Sequence, residues 1–332
     1  MPAVLLLLAA CSKDDGSQTE TLAADEPVAV SFTANVPAFA TRSVIGSTDA
    51  LHSPGFGVFA YYTEASNWET AGASATPNFM YNQQVTWSAG SWSYSPVKYW
   101  PNDNQPADDN GATGSQAHSY VSFFAYAPFG GSGIAVVGNN ATPGAPSLTY
   151  TWDTGNDLLY ALPVKDSYKY DDTNNTNDYG RVADVVPFTF HHALAMVEFK
   201  VRRKLSSGAA ITLNSLTITS DGPVGGTFNL GSSAWTATTA GSAAPLSYSG
   251  SLPVTASTDA SAHLVGSSLM MPASVTFTYN IGYTVGSIDY TPDAASMSPV
   301  TLDKGYKYTI VFVIDGDAIE SYVLRDREAE QW

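Results

Sequence analysis

Val28-Ala29-Val30-Ser31-Phe32-Thr33-Ala34-Asn35-Val36 alternates without a break. The even positions carry Val, Val, Phe, Ala and Val, and the odd ones between them carry small or polar side chains. A period of two puts alternate side chains on opposite faces, so this stretch reads as a half-buried β-strand with one apolar face. Pro37 ends it, because proline has no N–H to give to a ladder.

Working outward, the same signal recurs. Strand-like runs lie at Phe56–Thr63, Phe79–Trp87, Ser91–Trp100, Ser119–Ala127, Leu148–Trp152 and Asp157–Leu162. Ser88-Ala89-Gly90 reads as a hairpin turn between two aromatic strands. The turn-rich stretch 165–180 marks an expected boundary, giving an N-terminal domain over 27–180 and a C-terminal domain over 181–332. Val185–Val201 opens the second block. Further runs follow at Ile211–Thr219, Gly226–Leu230, His263–Met271, Val275–Val285, Tyr306–Ile314 and Ile319–Leu324. Gly and Pro interrupt every candidate helix, so an all-β chain of sandwiches or barrels is expected.

The start of the chain has a different character. Ala3–Ala10 is an apolar run too short to span a bilayer and suited to the core of a signal peptide. It leads into Leu8-Ala9-Ala10-Cys11, which looks like a lipobox, so residues 1–11 are expected to be a lipoprotein signal and Cys11 the lipidation site. Met1-Pro2 supplies no basic residue, which points to a start codon upstream. Residues 12–26 read as a flexible polar tether, and the acidic pair Asp14-Asp15 fits export to the outer surface. Cys11 is the one cysteine, so no disulfide can form within the chain.

Thirty acidic residues against 14 basic ones give a formal net charge of −16. That balance disfavours nucleic acid as a partner, since phosphate contacts need clustered Lys and Arg. The five histidines show no metal-ligand spacing; His191 and His192 are adjacent in a strand, one expected packed and the other exposed. Asp171–Asp178 is oxygen-rich but lacks the spacing of an EF-hand loop and reads as a solvated linker. Neither a nucleophile elbow nor a phosphate loop nor a dinucleotide fingerprint occurs. No catalytic residue, metal or cofactor is assigned, and an enzyme is not expected. Trp68, Trp87, Trp92, Trp100, Trp152 and Trp235 could stack on sugars, but in alternating strands such residues more often fill cores.

Several stretches together resemble the fimbrillin family of type V pilins and their accessory subunits. They are the lipobox and first strand, Tyr99-Trp100-Pro101, Val121–Pro128, Asp157–Ala161, Phe188–Leu194 and Leu302–Ile314, in order along nearly the whole chain. The resemblance implies two transthyretin-like β-sandwich domains in tandem. It also implies a pilus subunit exported as a lipoprotein to the outer membrane and cell surface, and assembled there by protease-triggered donor-strand exchange. An Arg-specific protease would cut between Arg42 and Ser43, the strand of Val28, Val30, Phe32, Ala34 and Val36 would leave, and a strand of another subunit would replace it. Arg42 is the only Arg before Arg181, and a solvated loop residue is its alternative reading. In the family the C-terminal strands are the donors, which makes Tyr308, Ile310, Phe312 and Ile314 the candidates here. Both faces of that strand are apolar, so it also reads as buried in its own domain, and a tip or anchor subunit is then expected. The expected partners are other pilus subunits, the outer membrane through the lipid, and a receptor on a host or bacterial surface. The competing reading is a non-polymerising surface lipoprotein that binds glycan or a host protein.

Overall fold

The structure, a computed structural model, describes residues 27–37, 45–101, 120–153, 155–168, 185–205 and 208–325. Cys11, Arg42, Ser43, the tether at 12–26 and the oxygen-rich stretch at 171–178 lie outside the described residues.

Among the described residues the regular structure is almost all β, as the periodicity implied. Its first part supplies β1 (Ser31–Asn35), β2 (Phe56–Tyr62), β3 (Met80–Ser88), β4 (Ser91–Ser93), β5 (Val121–Ala127), β6 (Ile134–Val136), β7 (Ser147–Thr151), β8 (Leu159–Ala161), β9 (Val164–Ser167) and β10 (Val185–His192). Two short helices, α1 (Thr48–His52) and α2 (Trp68–Ala71), sit in the connections. The main sheet runs β1-β10-β8-β5-β2-β3-β4, with β9 paired to β5. The β3–β4 hairpin turns on Ala89 and Gly90, both at positive φ, as a two-residue turn matching strand twist requires.

This sheet is covered on both faces, which explains why β2 (FGVFAYY) and β5 (VSFFAYA) are apolar on both. One face, with Phe56, Val58, Phe123, Ala125, Phe188 and Phe190, encloses a core that also holds Val30 and Phe32. The opposite face, with Phe59, Tyr61, Phe124 and Tyr126, packs in a second core against a four-stranded sheet.

That second sheet, β14-β13-β7-β6, draws β13 (Gly225–Asn229) and β14 (Ala234–Thr239) from far along the chain. A boundary at 180/181 therefore does not divide the sheets. Val185–His192 returns to the first sheet, because Val186, Phe188 and Phe190 complete its core, and the passage onward comes at Ala193-Leu194. The double cover also buries both His191 and His192, where one of them was expected in solvent.

The remaining strands are β11 (Ala195–Arg203), β12 (Ile211–Ser220), β15 (Ala243–Pro253), β16 (His263–Met270), β17 (Ser274–Val275), β18 (Phe277–Val285), β19 (Ile288–Tyr290), β20 (Ala295–Ser296), β21 (Val300–Thr301), β22 (Lys307–Asp315) and β23 (Ala318–Arg325). Sheet β16-β11-β22-β23 and sheet β15-β12-β18-β19 supply the third core. In β12 the inward residues run Ile211, Leu213, then Leu216, Ile218; the register shift between Leu213 and Ser215 absorbs the extra residue and keeps the apolar face inward.

Candidate functional site: the first strand and its groove

Residues 28–36 close the first sheet. Ser31–Asn35 pairs in parallel with Val185–Thr189 of β10. At the strand's beginning Ala29 bridges Tyr99; the Val30 N–H donates to Lys98 O at 2.9 Å and the Trp100 N–H to Val28 O at 2.9 Å. The segment after β4 thus meets the first strand from the side opposite β10. The Tyr94 hydroxyl donates to Val30 O at 2.7 Å and accepts from the Lys98 N–H at 3.3 Å, tying the two segments together.

The side chains follow the period of two. Val30, Phe32 and Val36 are buried, Val28 and Ala34 half-buried, and Ala29, Thr33 and Asn35 exposed. Phe32 sits in a slot of four rings: Phe188 lies nearly parallel at 5.6 Å, Tyr94 is tilted at 5.4 Å, and Phe56 and Phe123 meet it edge-on at 6.2 and 6.1 Å. Trp92 covers Phe56 at 4.8 Å, and Trp87 stacks on His52 at 3.9 Å.

Downstream, the end of the strand and the chain after it are each fastened to the fold. The Val36 N–H donates to Thr48 Oγ1 at 3.0 Å, and Ser47 caps α1 by accepting from Ala50 N–H. The Ile45 N–H donates to Asp157 Oδ2 at 3.3 Å, and that buried carboxylate also meets His192 Nδ1 at 3.1 Å. Anchored residues therefore flank the stretch that contains Arg42 and Ser43.

Tyr308, Ile310, Phe312 and Ile314 point into the third core, on a strand held by β11 on one side and β23 on the other. β23 is the outer strand of that sheet, and polar clasps fasten it along its length. Lys204 Nζ meets Glu320 and Asp315, each at 2.8 Å. Arg202 reaches the Tyr322 hydroxyl at 3.0 Å and Asp259 at 2.7 Å, and the same hydroxyl donates to Asp259. Arg325 pairs with Asp303 at 3.1 Å and covers the Tyr306 ring at 4.0 Å. Beside them Glu198 bridges Lys200 and Lys307; burial alone would raise its carboxyl, but the two ammonium groups hold it below the usual range.

The tryptophans divide into core and junction residues. Trp68 and Trp100 are buried. The Trp152 and Trp235 indoles donate to Leu269 O at 2.6 Å and Ala193 O at 2.9 Å. Trp87 and Trp92 are half-buried at the open end of the first core. Tyr94 and Lys98 as the opposite rim of the groove, and the Arg202–Tyr322–Asp259 clasp, emerge only from the structure. The aromatic spacing of Trp92, Tyr94 and Trp100 was the available signal for the rim; the clasp joins residues too far apart in sequence to leave one.

The comparisons agree with this architecture. A solved fimbrial protein from Bacteroides vulgatus ATCC 8482 superposes with a TM-score of 0.65 at 22% identity, covering 89% of this chain and 98% of that one, which shows a shared fold. Fimbrium subunit Fim1C of Phocaeicola vulgatus is 31% identical over 180 residues; the match takes in 51% of this chain and 42% of the relative's length. The family model described as fimbrillin-like matches residues 41–325, and the chain belongs to that family.

Proposed function

We propose that this chain is a structural and adhesive subunit of a surface fimbria, exported as a lipoprotein on Cys11 and assembled by replacement of its first strand. In this reading a protease cuts between Arg42 and Ser43, residues 28–36 leave, and a strand of another subunit enters the groove. The supporting observation is the position of the strand: it closes a sheet, fills an aromatic slot, and lies just upstream of the Arg42-Ser43 bond.

Magnitudes favour replacement over simple loss. Burial of Val30, Phe32 and Val36 contributes about 5–9 kcal/mol, an upper bound because unfolded chains already bury some area. Whole domains are stable by only about 5–15 kcal/mol. A chain without its first strand would expose the apolar groove and unpaired backbone on β10 and at 98–100, and an added strand repairs both.

The donor side differs. Extracting β22 would empty the third core, and β23 is clasped and carries Glu320 and Arg325. A subunit at the tip or anchor position needs no free donor strand, and that position fits this chain. The expected partners are other fimbrial subunits, the outer membrane through the lipid, and a surface receptor.

Digestion with an Arg-specific protease tests this. The expected product begins at Ser43, holds the fragment ending at Arg42 without a covalent bond, and exchanges it for a labelled peptide of residues 28–36. A cut chain that keeps its fragment and takes up no peptide would refute the reading.

A further inference from the structure

The strand now seated in the groove is a cast of what the groove accepts. Its inward side chains are Val30, Phe32, Ala34 and Val36, and only Phe32 is aromatic. The ring is enclosed by Phe56, Tyr94, Phe123 and Phe188, which come from four separate segments of the chain. A slot of that size cannot be filled by any other residue of the strand. A slip by one residue would offer it Ser31 or Thr33, and a slip by two Val30 or Ala34. Neither choice restores the ring contacts, and each leaves a void in a close-packed core.

We infer that this four-ring slot selects both the register and the identity of the incoming strand: the partner carries an aromatic residue where Phe32 now lies, and the C-terminal strands of a second copy of this chain do not serve as that donor. The inference rests on the strand-replacement reading and adds the partner's chemistry to it.

Neither of the chain's own C-terminal strands offers that pattern free for donation in the direction the present strand runs. In β23, placing Tyr322 in the slot puts Glu320 where Val30 is 2% exposed, which buries a carboxylate without a counter-charge. The other phase offers Ser321 to the slot, with Ile319 and Val323 beside it and no ring at all. β22 has Ile310, Phe312 and Ile314 in a suitable order, but these residues form the middle of the third core and are not free to leave it.

Peptide exchange on the cut, full-length chain tests the inference. Labelled peptides of residues 28–36, the same peptide with Phe32→Ala, and residues 318–325 of β23 are each offered in excess, and bound label is measured after gel filtration. The wild-type peptide is expected to enter, the Phe32→Ala peptide to bind about 100-fold more weakly or worse, and the β23 peptide to leave no bound label. Binding of the Phe32→Ala peptide within about threefold of wild type, under 1 kcal/mol on the affinity scale, would overturn the inference. Equal entry of the β23 peptide would do so as well. Entry of all three alike leaves strand replacement standing and overturns this inference alone. Entry of none sinks strand replacement itself, and the inference with it.

Discussion

Phe32 lies almost flat on Phe188, with ring centroids 5.6 Å apart and planes 16° from parallel, although the backbone partner of Phe188 is Ala34. The stack therefore runs diagonally across the parallel pair β1–β10 and joins the first strand to one nearly half the chain away. Because both rings are buried, the contact belongs to the core and not to the surface of the sheet.

Phe32→Ala should lower the stability of the uncut chain by about 3–5 kcal/mol, the usual effect of truncating a buried aromatic residue. Thr33→Ala, one residue along and exposed, should change it by less than about 0.5 kcal/mol. Denaturant unfolding of both variants measures this. Equal effects at the two positions would mean that the strand does not carry the core contacts described.

The clasp on β23 should respond to acid. The hydrogen bond from Tyr322, helped by Arg202 and opposed by partial desolvation, holds the Asp259 carboxyl below its ordinary value. Its folded-state pKa is thus below the unfolded one. The clasp contributes fully above the ordinary carboxylate range and is lost as pH falls through the lowered value. Hydrogen exchange of the β23 amides should accelerate in that acidic window while the β22 amides stay protected. Tyr322→Phe should bring β23 to the fast rate at neutral pH; unchanged β23 protection in that variant would show that the clasp holds nothing.

Lys304 offers a test in the opposite direction. Its ammonium contacts the Tyr160 hydroxyl at 2.6 Å and the Ser233 carbonyl and lies 4.4 Å over the Tyr160 ring, joining β8 to the β13–β14 turn. Burial pulls its pKa below the usual lysine value, so the charged form is disfavoured by folding. Stability should therefore rise as pH climbs from the lowered value toward the ordinary one. Lys304→Met keeps the packing stem without the charge and should stay within about 1 kcal/mol of wild type. Tyr160→Phe removes the hydroxyl from a partly buried ammonium and should cost about 1–3 kcal/mol. A larger loss in Lys304→Met than in Tyr160→Phe would contradict this account.

Residues 28–36 were legible as a strand because a period of two is local information, and one face of that strand is wet. β2 and β5 read as strands too, but their two-sided apolar character did not reveal what lies on each face. The parallel partner of Ser31–Asn35, the shared sheet of Ser147–Thr151 with Gly225–Asn229, and the burial of His191 all depend on contacts between distant segments. Periodicity carries no record of which strand lies beside which. The boundary expected at 180 followed turn-forming composition, whereas the sheets follow the apolar alternation of Val186, Phe188 and Phe190. The groove's aromatic residues were all visible as aromatic residues; their convergence on Phe32 was not.

The central claim is that the first strand can leave and be replaced, and a lock on it is the most direct test. Ser31 and Val185 face each other in the β1–β10 register, a pairing that brings the two backbones close enough for a disulfide in a Ser31→Cys, Val185→Cys variant. After Arg-specific cutting, uptake of labelled peptide 28–36 should be blocked in the oxidised variant and restored by reduction. Equal uptake with the lock closed and open would contradict the claim, because the peptide would then be binding somewhere other than the groove.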